Sequence, residues 1–256
     1  TYPTMSHHLL AGRTEAELLW TQRRTFLQAA ASWTALGGFT AAQAQSRSNI
    51  VELVGDALLN GRRLLPGHTV QTGDELLTGP LSSLVFVLGN SSFLVRQNTR
   101  MVVERGDSLS VVSVLRLLTG AVASVWGKGT SRRIVTPTIT AGIRGTGVYT
   151  EVFPQQDNRS YFCNCYGTVD VGAGTETRLS QSDYHQSFWA EATPKDGRLL
   201  SPAKAINHTD EELEYLARLV NQRTNWQILG RKGVKNGMGY MDDKPEQTHP
   251  AGAMAP

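Results

Sequence analysis

The stretch Val54–Ser92 reads VGDALLNGRRLLPGHTVQTGDELLTGPLSSLVFVLGNSS. Turn signals punctuate it at Asn60-Gly61, Pro66-Gly67, Thr72-Gly73-Asp74, Gly79-Pro80 and Gly89-Asn90. Glycine and asparagine accept positive φ, and proline presets a turn. The chain between these points has room only for short strands. The same rhythm continues outward through Arg105-Gly106-Asp107 and Lys128-Gly129. Between the turns lie the expected strands Leu84–Leu88, Ser92–Arg96, Arg100–Glu104, Leu109–Val114, Ala121–Trp126 and Arg133–Thr136. Val122, Ser124 and Trp126 alternate with Ala121, Ala123 and Val125, which suits a sheet with one face on a core. Apolar runs separated by turns every 8–12 residues or so favour an all-β unit over alternating strands and helices. The fold expected is mainly β, a compact solenoid-like roll or sandwich of short strands, over residues 45–175.

One ordered series within this region is more specific. It comprises Val54-Gly55-Asp56, Leu65-Pro66-Gly67-His68-Thr69-Val70, Thr72-Gly73-Asp74-Glu75-Leu76-Leu77-Thr78-Gly79 and Ser83–Ser92. Leu118-Thr119-Gly120-Ala121-Val122, Val135-Thr136-Pro137 and Ile143-Arg144-Gly145-Thr146-Gly147-Val148 follow. Together these resemble the FecR-domain family, across roughly residues 50–153. The resemblance implies a β module of the periplasmic sensing type. The family's best-known members are membrane-spanning regulators of extracytoplasmic sigma factors, with a cytoplasmic anti-sigma region and one membrane helix. This sequence carries a cleavable-looking signal where those parts would stand, so anti-sigma activity is not implied for it.

That signal is Thr21–Gln45, TQRRTFLQAAASWTALGGFTAAQAQ. Arg23 and Arg24 precede Phe26 and Leu27, then an alanine- and glycine-rich run ends in Ala42-Gln43-Ala44. The pattern is that of a twin-arginine (Tat) export signal, read by the Tat translocase through Arg23 and Arg24 and cleaved after Ala44. The run is too polar for a membrane span of about 20 apolar residues. The expectation is a leader and signal at 1–44 and a periplasmic, non-spanning mature protein. Setting Arg13, Arg23, Arg24, Glu15 and Glu17 aside leaves 22 basic against 20 acidic residues. That balance, without a basic stripe interleaved with aromatics, argues against nucleic-acid binding.

Chemistry concentrates in Tyr161–Val171, YFCNCYGTVDV, expected to pair with Val148–Phe153 as a hairpin. Cys163 and Cys165 are the chain's two cysteines. On a strand, residues i and i+2 share a face, so both sulfurs would meet one volume. His185 and His208 lie downstream. His208 precedes Thr209-Asp210-Glu211-Glu212, a capping box that would fix a helix start and aim the imidazole. A Cys2His2 set of Cys163, Cys165, His185 and His208 suits tetrahedral Zn²⁺, and the same donors could hold copper or iron. Three other readings stand beside it: two small buried thiols, a Cys-x-Cys disulfide or redox pair, and histidines with purely structural roles.

Residues 176–229 are expected to supply a hairpin or loop pair and a helical cap. The hairpin should turn at Lys195-Asp196-Gly197-Arg198, with Phe188 and Trp189 packed on the β core. One amphipathic helix is expected at Asp210–Gln222, its face set by Leu213, Leu216, Ala217 and Val220. Residues 230–256 lack periodicity and read as a disordered tail. Arg144 is expected to brace the turn at Gly145–Gly147 by bonding carbonyls. No nucleophile elbow, HExxH, phosphate loop or haem-attachment motif is found. The sequence therefore points to a non-enzymatic exported binding or sensing module with an envelope protein as partner. Its rivals are a periplasmic thiol-redox or metal-handling protein and a structural adaptor of an envelope complex.

Overall fold

The computed structural model describes residues 48–104, 108–129 and 132–233. The expected leader and export signal, the turn at 105–107 and the expected tail from 234 onward lie outside the described residues. Fifteen strands are described. They are β1 (Ile50–Val54), β2 (Ala57–Leu59), β3 (Arg62–Arg63), β4 (Glu75–Thr78), β5 (Ser83–Leu88), β6 (Ser91–Val95), β7 (Arg100–Val103) and β8 (Val114–Trp126). After them come β9 (Arg132–Val135), β10 (Thr140–Ile143), β11 (Gly147–Phe153), β12 (Arg159–Ala173), β13 (Glu176–Ser182), β14 (Gln186–Lys195) and β15 (Arg198–Ala203). Two helices close the described chain, α1 (Asp210–Leu219) and α2 (Asn225–Leu229).

The mainly-β expectation holds, but two of the strands are long. β8 has 13 residues and β12 has 15, and each serves two sheets. The first sheet runs β1-β5-β6-β8-β11-β12-β14-β15. The second runs β3-β2-β4-β7-β8-β9-β10-β12-β13. β8 and β9 pair in parallel; the other pairs are antiparallel. The changeover falls at Gly120 (φ 75°) in β8 and at Gly167 (φ 101°) in β12. A Cβ at Gly120 would lie 2.5 Å from Thr99 Cα, and one at Gly167 would lie 2.7 Å from Thr146 Cβ. Only glycine accepts both the left-handed backbone and the close approach.

Between the sheets sits one apolar core. Phe86, Phe93 and Trp126 stack through it, with ring centroids 4.8 and 5.2 Å apart, and Leu84, Met101, Leu115 and Phe162 fill around them. Full burial of each such side chain contributes about 1.5–3 kcal/mol. Leu109–Ser113, expected within a strand, is irregular, and β8 starts at Val114. The apolar Leu109 and Val111 there are exposed.

The outer face of the first sheet is covered as well. α1 packs over β8, β6 and β11, burying Leu213, Leu216 and Ala217. Ser92 Oγ donates to Leu216 O at 2.7 Å. This explains why all five residues of β6 are buried, where one-face burial would leave alternate residues exposed. The helix ends at Leu219, three residues before the expected limit, with Val220 as its C-cap. The expected single C-terminal helix is joined by a second. Thr224 caps α2 in its own capping box with Gln227, and a five-residue helix is too short for periodicity to reveal.

Candidate metal centre

The four donors expected from the sequence meet on that covered outer face. Cys163 and Cys165 alternate with Asn164 on β12, and their sulfurs lie 3.6 Å apart. Cys163 is in register with Tyr149 on β11 and Ser187 on β14, so it sits mid-sheet. The chain leaves β13 through Asp183 and Tyr184. His185 then takes a left-handed backbone (φ 47°), and its N–H donates to Cys165 O at 2.9 Å. This turn swings the imidazole back over the cysteines. His208 arrives from the other side, just before the N-cap Thr209, whose capping box with Glu212 forms as expected.

Nδ1 of His185 lies 3.5 Å from Cys163 Sγ and 3.0 Å from Nε2 of His208. One ligand atom from each of the four residues falls within 4.8 Å of the others, and all four residues are buried. The outer bonds of the two rings decide their tautomers. His208 Nδ1 lies 2.6 Å from Ile206 O, and a carbonyl only accepts, so Nδ1 carries the proton. His185 Nε2 lies 3.0 Å from Asp210 Oδ1, and a carboxylate accepts, so Nε2 carries that one. The inner nitrogens, Nδ1 of His185 and Nε2 of His208, are left with lone pairs facing each other. Two acceptors at 3.0 Å repel unless a proton or a cation lies between them. Carboxylate and carbonyl partners of this kind are what orient histidines in metal sites.

Three of the six donor spacings are close to those around such an ion, and the other three are no more than 4.8 Å. Zn–S near 2.3 Å and Zn–N near 2.05 Å at tetrahedral angles put sulfurs about 3.8 Å apart, sulfur and nitrogen about 3.6 Å and nitrogens about 3.3 Å. The observed 3.6, 3.5 and 3.0 Å are each slightly tighter. Burial opposes ionisation of Cys163. With a proton held between the two inner nitrogens in place of an ion, the hydrogen bond from Cys165, the charge of His208 and hydrogen bonds from both imidazoles outweigh it, holding the Cys163 thiol well below its ordinary range. A thiolate is the form that binds metal.

Residues around the four were not singled out by the sequence. Asp210 takes His185 on one oxygen, and Tyr184 OH (2.9 Å) and Lys232 Nζ (2.9 Å) on the other. Tyr149 stacks on His208 at 4.7 Å and Trp226 on His185 at 5.4 Å. Arg96 donates to both oxygens of Glu212 and to Asn207 O, tying the helix start to β6. Asp210 had been legible only as a first-turn acid. The pairing of Thr209 with Glu212 was the one local signal for this corner.

Other expectations sort cleanly. The hairpin of β11 and β12 forms through a 3-10 turn at Pro154–Gln156. Gly147 admits the Tyr166 ring, which a Cβ would meet at 2.3 Å. Arg144 braces this corner through a carboxylate instead of carbonyls: it is exposed and bonds Asp170 at 2.6 Å. Phe188 is buried in the core, while Trp189 packs at the sheet surface against Tyr161 and beneath Arg159.

No protein-family model and no curated protein matches the chain. Two solved structures from Parabacteroides distasonis, each assigned as an anti-sigma factor, share part of its shape. The one at 1.65 Å resolution has a TM-score of 0.41 and 12% identity over 65% of this chain and 82% of its own. The one at 2.50 Å has a TM-score of 0.39 and 11% identity over 46% of this chain, which spans 55% of that structure's length. Likenesses this distant establish no function.

Proposed function

We propose that this protein is a non-enzymatic FecR-type binding or sensing module of the bacterial envelope, its β roll exported by the Tat route to the periplasm and stapled by one metal ion, zinc first among zinc, copper and iron. The observation that carries the metal reading is the convergence of His185 Nδ1 and His208 Nε2, 3.0 Å apart, on two sulfurs 3.6 Å apart. Cys163, Cys165, His185 and His208 would hold the ion. Asp210 and the Ile206 carbonyl fix the two rings, and Tyr149 and Trp226 close over them. When bound, the ion supplies a four-coordinate cross-link between β12, the turn before β14 and the start of α1. Four buried protein donors leave no position for a substrate, which is the mark of a structural site. Recognition then falls to the β surface that the staple holds in shape, with an envelope protein as partner.

A thiol-redox role is the second reading. The 3.6 Å sulfur separation and the readily ionised Cys163 favour it. Metal analysis by inductively coupled plasma mass spectrometry, with thiol counting on the denatured protein, separates the two. The metal reading expects roughly one equivalent of metal and two free thiols, with the metal lost in the Cys163→Ser/Cys165→Ser double variant. No metal with two oxidised sulfurs selects the redox reading. No metal with two free thiols overturns both and leaves an adaptor or binding module.

A further inference from the structure

None of the residues Cys163, Cys165, His185 and His208 is more than 7% exposed. An ion therefore reaches them only when part of their cover moves. The parts of that cover are held by different means. Tyr149, which stacks on His208, stands on β11 between β8 and β12, in the middle of a sheet. The turn at Tyr184–His185 and the start of α1 each present a donor. The turn is tied to Cys165 O through the His185 N–H. α1 buries Leu213, Leu216 and Ala217 and is tied down by Ser92 and Arg96. α2 presents no donor, belongs to neither sheet and buries one side chain of its own, Trp226.

That side chain lies directly on the donors. The Trp226 ring stacks on His185 at 5.4 Å and meets Tyr184 and Tyr166 edge-on at 5.4 and 5.5 Å. Its Nε1–H donates to Glu214 Oε1 at 2.7 Å. The rest of α2 faces water, with Ile228 and Leu229 exposed. Polar ties hold it at either end. Asn225 Nδ2 donates to Asp183 Oδ1 at 3.0 Å in an exposed contact. Lys232 Nζ, on a half-exposed side chain, meets Asp210 Oδ2 at 2.9 Å and Glu214 Oε1 at 3.3 Å. A short helix with one buried side chain and solvent-exposed ties opens locally far more readily than a paired strand or a packed helix. The tie through Lys232 also bears on the site, because the other oxygen of Asp210 holds His185 Nε2. The segment thus lies on one donor and is fastened to the carboxylate that orients it.

We infer that residues 224–232 form a gate over the metal centre, with Trp226 as its plug and Lys232 as its latch, and that zinc enters and leaves when this segment opens. The inference rests on the metal reading given above. A gate changes loading and release together, because both pass through the same open state. A residue that merely steadied the bound ion would change release alone. The same opening admits any small reagent to the sulfurs, so the gate can also be read on the metal-free chain.

The test uses the full chain, either loaded with Zn²⁺ or stripped of metal. Release is followed by absorbance into excess pyridylazoresorcinol, and loading by the uptake of free Zn²⁺ from a fluorescent indicator. Access to Cys163 and Cys165 in the stripped chain is followed with dithionitrobenzoate. Trp226→Ala should raise all three rates about tenfold or more, and Lys232→Gln about two- to fivefold. Zn²⁺ is a cation and the thiol reagent an anion, so loss of the lysine charge by itself would speed zinc loading and slow the thiol reaction. An opened gate speeds both. Should Trp226→Ala misfold, Lys232→Gln decides, since it alters one half-exposed side chain. Release that quickens while loading stays unchanged, or rates unmoved in both variants, would overturn the gate, while the bound zinc upholds the metal reading. Rates raised as far by Gly120→Ala, which lies away from the segment, would assign entry to global unfolding and overturn it too. No zinc bound by the native chain would overturn the metal reading and the zinc gate together, and the thiol rates would then show whether the segment still covers the sulfurs.

Discussion

The region from β1 to β8 and the region from β11 to α1 are held together by different physics. The first is a succession of short strands between glycine and asparagine turns, closed over Phe86, Phe93 and Trp126. Its order is written locally, in turn chemistry and alternation. The second buries cysteines, histidines and tyrosines on the outer face of the sheet, and its Glu212 pairs with Arg96 of the first. Buried polar groups contribute only when they are fully partnered. Its order therefore depends on residues distant in sequence arriving together. The first region should tolerate single losses of apolar contact, and the second should fail as a unit.

The largest effect should come from Cys163→Ser/Cys165→Ser. Structural zinc contributes about 10–16 kcal/mol of binding free energy in small domains. Here it would anchor α1, and the variant should lose at least about 5 kcal/mol. A thermal or denaturant melt checks this, with near-UV circular dichroism reporting Trp226 and Tyr149. Chelation of the native protein should reproduce the loss. Acidification should as well, because protons compete with the metal for both imidazoles and both thiolates. A melt unchanged by the double substitution would mean that the second region is held by packing, as the first is.

Next in size is the hinge. Gly120→Ala puts a methyl 2.5 Å from Thr99 Cα at a left-handed φ. A cost of about 3–4 kcal/mol follows from strain and overpacking together. The substitution lies within the first region, so metal content should stay at the native level while the melting point falls. Metal loss in Gly120→Ala would show that the two regions are coupled through β8.

How much of this was legible follows the same division. The turns of the first region and the pairing of β11 with β12 are stated by neighbouring residues. So is the shared face of Cys163 and Cys165, and so is the capping box that presents His208. Bonds between distant residues were hidden. Asp210 lies 25 residues from His185, and as a first-turn acid it had a sufficient local explanation. Gly120 and Gly167 look like any turn glycines, yet they bend single strands between two sheets. Leu109–Ser113 has the composition of a strand, but Gly89 packs against Ser110 O and the segment stays irregular. α2 escaped because five residues carry no period, although Thr224 and Gln227 spell its cap.

Arg96 tests the tie between regions directly. Burial works against its charge, but Glu212, by attraction and hydrogen bonding, more than restores it. The side chains are 15% and 14% exposed. Arg96→Met strands a carboxylate that still caps α1, and should cost about 2 kcal/mol after allowance for that residual solvent. Glu212→Gln keeps the cap while removing the charge. If the ion pair matters chiefly as a tether, combining the two substitutions should cost less than the sum of each alone, measured as a double-mutant cycle.

The smallest effect belongs to Arg144, and it sharpens the contrast because this pair stands largely in solvent. Its guanidinium meets Asp170 at 2.6 Å, a better distance than Arg96 makes to Glu212. Distance alone would rank it higher. But the side chains are 65% and 50% exposed, and in water two long side chains gain little from being held in one geometry. Arg144→Gln should change stability by no more than about 0.5 kcal/mol, and that difference should shrink further in added salt. A melt that falls by 2 kcal/mol instead would place Arg144 with the buried polar groups of the second region, and exposure would no longer separate the two kinds of order.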